Sequence, residues 1–230
     1  MDAFLSSSVF FGVFATLCAY FAGLAVKKRT GLALMNPLLI AIVIMMAVVS
    51  LLDMDYAVYS AGTKIISNLL TPATICLAVP LYEQLSLLKK HPAAIFAGIA
   101  SGVLTSLVCV FVLSLLFGLD HASYVTLLPK SITTAIGMGV SEELGGYVSI
   151  TVPVILITGI LGNMIAETVC KVFRITDPVA VGVAIGTASH AIGTSKAMEI
   201  GQIQGAMSSL SIVVSGILTV FGASIFAAFL

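Results

Sequence analysis

The sequence predicts an all-α polytopic membrane protein, with about seven transmembrane helices and one re-entrant segment. Three observations carry this. Of 230 residues, 60% are hydrophobic and only 9% charged, where a soluble domain carries about 25% charged residues. Apolar runs recur along the whole chain, and a spanning helix needs roughly 20 such residues. Several runs are interrupted by Pro, Gly and hydroxyl residues, so broken helices are expected beside smooth ones. Nothing is left over for a soluble domain of any size, and a single integral membrane domain over 1–230 is the expectation.

The smooth runs lie at 8–26, 32–52, 94–118, 147–170 and 206–229, and the interrupted ones at 62–85, 122–141 and 178–200. Lys27, Lys28 and Arg29 follow the first run, whereas a signal peptide has its charges in front. That run therefore reads as an anchor with the N-terminus outside. With this start Asp53 and Asp55 fall outside, Lys89 and Lys90 inside, and Asp120 outside, as the positive-inside rule requires. A full crossing at 122–141 would then put Glu142 and Glu143 inside and Lys171 and Arg174 outside. A re-entrant 122–141 reverses both and agrees better with the rule. On that count 178–200 crosses and the C-terminus is inside. Segments 62–85 and 178–200 are offset by about half the chain, which suggests an internal repeat with halves 1–118 and 119–230. Interrupted segments in corresponding halves point to a transporter's binding site.

Three breaks are candidates for chemistry. The first contains Pro72 and Pro80, each of which removes a backbone donor and crowds the preceding turn. It can line a wet cavity or simply kink a packed helix. The second is Leu128-Pro129-Lys130-Ser131-Ile132-Thr133-Thr134, followed by Gly137 and Gly139. A half-helix starting near Pro129 would direct unpaired N–H groups and its positive dipole end at one point. With Lys130, Ser131, Thr133 and Thr134 this makes a candidate anion site. The alternative is a Lys130 that snorkels to the outer interface. The third break runs from Gly186 through Ser189, His190, Gly193 and Thr194 to Lys196 and Glu199. Ser189 and Thr194 are candidate substrate ligands, and Gly186 and Gly193 are structural. A titratable His190 at mid-segment marks an ion or substrate path, or else a structural hydrogen bond.

Other classes find little support. Cys18, Cys76, Cys109 and Cys170 are far apart in apolar runs without a CxxC pair, and read as small core hydrophobes. No basic stripe with interleaved aromatics suggests nucleic acid. The chain carries neither a nucleophile elbow nor a metal-binding helix motif. Neither catalytic residue, cofactor nor metal is expected.

The breaks resemble the LrgB/CidB family of bacterial membrane proteins over essentially the whole chain. The resemblance is carried by Asn36-Pro37-Leu38-Leu39, by Leu77-Ala78-Val79-Pro80-Leu81-Tyr82 and by the Leu128–Thr134 stretch. Most specific is Gly186-Thr187-Ala188-Ser189-His190-Ala191-Ile192-Gly193-Thr194, continuing to Glu199 and to Gly205-Ala206-Met207-Ser208-Ser209-Leu210. It implies two descriptions. One is control of murein hydrolase activity and autolysis with a small holin-like membrane partner of the LrgA/CidA type. The other is transport of small monocarboxylates, pyruvate in bacteria and glycolate or glycerate in plastids. Lys130 and His190 match the family's basic and histidine positions, whereas Glu142, Glu143 and Lys196 lie where members differ. The expected function is a monocarboxylate carrier of the cell membrane, with Lys130 holding the carboxylate and His190 or Glu199 carrying a coupled proton. A purely regulatory subunit is the alternative. A homo-oligomer or hetero-complex is expected to bury the irregular backbone.

Overall fold

The structure, a computed structural model, describes residues 9–31, 35–69, 72, 75–76, 78–83, 89 and 92–230. Regular structure among the described residues is entirely helical. The chain forms two compact units, Met1–Cys76 and Leu77–Leu230.

The first unit holds α1 (Val9–Thr30), α2 (Pro37–Leu51) and α3 (Tyr56–Asn68). The start of α2 is written in its sequence. The Asn36 side chain accepts from the Leu38 and Leu39 amides at 2.8 and 3.5 Å, and Pro37 takes the first position, where its missing N–H costs nothing. Asp55 caps α3 in the same way, through the Ala57 amide at 2.8 Å. Ala19, Ala41 and Met45 form the buried centre of this unit. In the expected break at 71–83, residues 71, 73, 74 and 77 lie outside the described residues. Of its prolines, Pro72 is helical and exposed, and Pro80 lies inside the short helix α4 (Ala78–Glu83) of the second unit.

The second unit adds α5 (Pro92–Phe117), α6 (His121–Leu127), α7 (Thr134–Glu143), α8 (Val148–Val172), α9 (Pro178–Ile200) and α10 (Gln202–Ala227). By length and composition, α5, α8 and α10 can each cross a membrane, as can Phe10–Thr30 of the first unit. Twenty-six residues of α5 extend about 39 Å, more than the ~30 Å of a hydrocarbon core. The apolar α2 is shorter, at 15 residues.

Between the long helices the chain twice turns back on itself. After α6 it passes through Leu128–Thr133 and returns as α7. Thr126 Oγ1 accepts from the Tyr147 amide at 2.7 Å, and Thr151 Oγ1 lies 2.7 Å from Ser141 Oγ. Residues on both sides of the excursion therefore meet at its base.

The second turn corrects the expectation that 178–200 crosses. The residues up to 189 run antiparallel to α8, with Ser189 packed on Gly162. A straight continuation would carry Lys196 towards residue 155. Instead its Nζ sits 2.6 Å from Glu167 Oε1, and Asn163 Nδ2 donates to the Ile192 carbonyl at 2.8 Å. A methyl group at Gly193 would lie 3.2 Å from the Ile185 carbonyl oxygen, although eight residues of straight helix span about 12 Å. The reversal is made at His190, whose φ of 42° and ψ of −138° lie where L-residues are strained by about 1–3 kcal/mol. α9 is thus a hairpin of two short arms. Composition could not reveal this, because a hairpin and a single crossing have the same hydropathy.

Small residues permit the fold-back. Gly186 touches the backbone of Ser208 in α10, and a methyl group at Gly182 would lie 2.5 Å from the Gln204 carbonyl oxygen. Ser211 and Ser215, buried in α10, satisfy their hydroxyls on the carbonyls of Met207 and Ile212. Gly98 and Gly102 of α5 meet Val183 and Thr187 of the first arm in order, so α5 and that arm run parallel. The base of the α9 hairpin consequently lies where α5 and α10 begin, and the base of the α6–α7 hairpin lies at the opposite end.

Cysteines placed at Glu167 and Lys196 should be joined by a short flexible bifunctional thiol reagent, visible as a mobility shift. Cysteines at Ile155 and Lys196, neighbours only if α9 were straight, should not. Gly186→Val should lower stability by about 1–3 kcal/mol through overpacking against α10, measured by thermal unfolding in detergent.

Candidate functional site

Lys130 sits at the tip of the α6–α7 hairpin. Two successive turn hydrogen bonds, Lys130 N to the Leu127 carbonyl at 3.2 Å and Ile132 N to the Pro129 carbonyl at 3.3 Å, shape that tip. Its ammonium donates to Ser106 Oγ of α5 at 3.2 Å and to Ser131 Oγ at 3.0 Å. Ser106 lies eleven residues before the end of α5 at Phe117, or about 16 Å along the helix, which is close to mid-length. Among the described residues the ion pairs join Glu167 to Lys171 and Lys196, and Lys196 to Glu199; none involves Lys130. Among the described residues the ammonium is therefore held by hydroxyls alone. Charges buried in an apolar medium are costly and are ordinarily paired, and no described carboxylate pairs with this one.

Lys130 and Ser131 line one end of a cavity of about 1120 Å³, whose walls come from α5, α8 and the first arm of α9. Ser106, Thr158, Thr187 and Ser189 contribute hydroxyl-bearing walls, and Ile95, Leu161 and Val183 apolar ones. Ala94 and Asp177, beside the α9 base, line it as well. The cavity thus runs from the α9 base to the Lys130 tip. Thr187 Oγ1 is sealed from solvent and has no hydrogen-bond partner among the described residues, at a cost of about 1–3 kcal/mol.

The expected site residues divide. Lys130, Ser131 and Ser189 line the cavity together. The half-helix expected near Pro129 begins instead at Thr134, with Thr133 at the cap position and no side-chain cap bond. Pro129 is buried in the turn, and Thr133 and Thr134 are not among the cavity's lining residues. His190 is buried beside the cavity wall, its Nε2 3.1 Å from the Ile155 carbonyl. A carbonyl can only accept, so Nε2 carries a proton and Nδ1 is the nitrogen that titrates. Thr194 closes the tip from behind, bonding the His190 carbonyl at 2.9 Å and Ser208 Oγ at 2.7 Å. Glu199 is 3.2 Å from Lys196 Nζ near the hairpin base, far along the second arm from His190. Gly186 and Gly193 serve the close packing of the hairpin.

The sequence reading missed Ser106, Thr158, Thr187 and the α8 glycines. For Thr158 and the α8 glycines the signal was the pattern Thr158-Gly159-Ile160-Leu161-Gly162-Asn163, a polar and small-residue patch inside an apolar run, whereas Thr187 stood inside the Gly186–Thr194 stretch. Its meaning is now physical. A methyl group at Gly159 would lie 2.7 Å from His190 Cε1, so the imidazole occupies the space that glycine leaves.

Against known proteins, the chain matches the LrgB-like family over residues 16–229. It is 36% identical over 212 residues to the Antiholin-like protein LrgB of Bacillus cereus (strain B4264), covering 92% of both chains. The Antiholin-like protein LrgB of Bacillus anthracis (strain A0248) matches with the same 36% identity and the same 92% coverage. No solved structure matches the chain.

Gly159→Ala should displace His190 from the Ile155 carbonyl and destabilise the protein by about 1–3 kcal/mol. Gly139→Ala, in a helix with nothing within 4 Å of the added methyl, should be neutral or stabilising by up to about 1 kcal/mol. Thermal unfolding of the two variants side by side measures the difference.

Proposed function

The chain belongs to the LrgB-like family, and we propose that it is a membrane carrier of small monocarboxylate anions. The carrying observation is the ammonium of Lys130, bonded among the described residues to Ser106 and Ser131 alone, at the inner end of a large cavity. A carboxylate would supply the missing counter-charge and accept from the same hydroxyls. One cation suits one negative charge.

In this reading both hairpins enter the membrane and return, from opposite faces. Lys89, Lys171 and Arg174 lie at the α9-base end, and Asp120, Glu142 and Glu143 at the other. The positive-inside rule then places the α9 base in the cytoplasm. The cavity is accordingly open towards the cytoplasm, and the α6–α7 hairpin shuts it from outside. The same rule puts the N-terminus outside and the protein in the cell membrane.

Carrying a monoanion inward opposes the membrane potential by about 2.3 kcal/mol per 100 mV, and a co-transported proton removes that opposition. His190 is the proposed proton carrier, through Nδ1. Glu199, engaged with Lys196 at the rim, would act only as a relay towards the cytoplasm.

The name of the relatives, Antiholin-like protein LrgB, favours a second reading. There the protein regulates murein hydrolase activity and autolysis by binding a holin-like partner of the LrgA/CidA type within a larger complex. Lys130 would be dispensable for that role.

Sealed proteoliposomes containing only this protein should take up labelled pyruvate faster when an inward proton gradient is imposed. Lys130→Gln removes a charge-assisted hydrogen bond worth about 1.5–3 kcal/mol, so apparent affinity should fall about 10- to 100-fold. His190→Asn, which keeps an N–H donor but has no titratable group, should lose the stimulation by the gradient. Absence of uptake by the wild-type protein, together with normal autolysis control by Lys130→Gln in cells, would support the regulatory reading instead.

A further inference from the structure

A second cavity, of about 510 Å³, lies at the base of the α9 hairpin, between the end of α8, the returning arm and the start of α10. Buried Cys170 and Val181, with half-buried Ile175 and Ile200, give it apolar walls. Lys171 and Arg174 give it cations. The carrier reading makes no use of it.

Arg174 ends α8 in an uncommon way. Its amide bonds the Lys171 carbonyl at 3.2 Å, and the Ile175 amide bonds the Cys170 carbonyl at 2.8 Å. These are the paired bonds of a Schellman cap, which needs a left-handed residue and usually takes glycine. The end of α7 makes the same pair of bonds with Gly145 in that place. At the end of α8 the left-handed position, with a φ of 55°, is held by an arginine. The backbone gains nothing from a side chain there, so what the position gains is the guanidinium.

The charges around the cavity do not balance. Lys196 is paired with Glu167 and Glu199, Lys171 reaches Glu167 at 3.7 Å, and Arg174 has no ion pair among the described residues. Asp177, three residues further on, caps α9 through the Ala180 amide and lines the other cavity. Three cations (Lys171, Arg174 and Lys196) against two carboxylates (Glu167 and Glu199) leave one positive charge over. Gln204, in the first turn of α10, also lines the cavity, and no side chain caps that helix. The free amides of such a helix start favour an anion as well. Beside Arg174, Val172 and Phe173 are 71% and 72% exposed, which places this rim against lipid rather than in open water.

We propose that this cavity binds a phosphate monoanion, supplied by the headgroup of an anionic phospholipid in the leaflet at the α9 base. The planar guanidinium of Arg174 suits two phosphate oxygens at once, and Lys171 adds a second cation. The apolar walls receive the part of the lipid next to its headgroup. Basic pockets between membrane helices take such headgroups. The bound lipid bridges α8 to the returning arm, beside the contact of Glu167 with Lys196. This holds whatever the larger cavity carries.

The test is thermal unfolding of the purified full chain in neutral detergent, titrated with short-chain phosphatidylglycerol, short-chain phosphatidylcholine or inorganic phosphate. Phosphatidylglycerol at saturation should raise the midpoint of the wild-type protein by about 2–4 °C over phosphatidylcholine. Arg174→Gly relieves the left-handed backbone, so it should unfold at least as high as the wild type in phosphatidylcholine and yet lose the increment. Arg174→Gln should lose it too. Equal midpoints of the wild type in the two lipids, or an increment retained by both variants, overturns the site. An equal loss in Lys89→Gln, a cation at the same end outside the cavity lining, reduces the effect to general surface attraction and also overturns it. A rise of the same size with inorganic phosphate overturns the lipid as the source of the phosphate.

Discussion

A helix interrupted inside an apolar medium must find partners for the backbone and side-chain polar groups that the interruption brings there. The reversal at His190 is the place where this constraint is met, and the second unit is organised around it. His190 holds a backbone conformation that costs strain. Its ring is pinned to the Ile155 carbonyl, and its own carbonyl is taken by Thr194, which in turn bonds Ser208. One residue thereby ties together α8, both arms of α9 and α10. The glycines at 159, 162, 186 and 193 are the complement of that knot, because each lies where a side chain would collide with the hairpin or its neighbour.

The cavity lies beside that hairpin. Its walls are the first arm of α9, from Asp177 to Ser189, together with α5 and α8. The other hairpin then delivers Lys130 into that space from the opposite end, where Ser106 and Ser131 receive it. Two short hairpins pointing at the middle of a bundle place polar chemistry at mid-depth while keeping their bases at the two ends. Such discontinuous segments are how membrane carriers surround a small charged ligand. The ion pairs of Lys196 with Glu167 and Glu199 fasten the returning arm to α8 at the hairpin base, well away from the unpaired ammonium. The charges that are paired and the ammonium bonded to hydroxyls are thus spatially separate.

Much of the outline was legible in the sequence. The long helices α5, α8 and α10 follow the runs read at 94–118, 147–170 and 206–229. Family membership was carried by the polar stretches around Lys130 and His190, which are too unusual in an apolar chain to be matched by composition alone. Local starts were readable as well, since Asn36, Asp55, Asp120 and Asp177 each cap the helix that follows. The site was legible only in part. Lys130, Ser131 and Ser189 meet in the cavity, but Thr133, Thr134, Thr194 and His190 stand outside its lining. Sequence proximity had grouped residues by the break they belong to, while a helical turn sends successive side chains in different directions.

What the sequence alone determined is the solvent and the punctuation. Its hydropathy selects a membrane, its side chains cap the helices, and its polar breaks mark where helices stop. What the tertiary structure decided is where the chain goes after each break. Twenty-three residues of α9 would extend about 34 Å as one helix, enough to cross, so length and hydropathy permit either path. The choice is made by contacts that no local pattern encodes: Glu167 with Lys196, Asn163 with the Ile192 carbonyl, and glycines spaced to admit a returning arm. Those contacts join residues about thirty positions apart in the chain, and only the folded bundle brings them within reach.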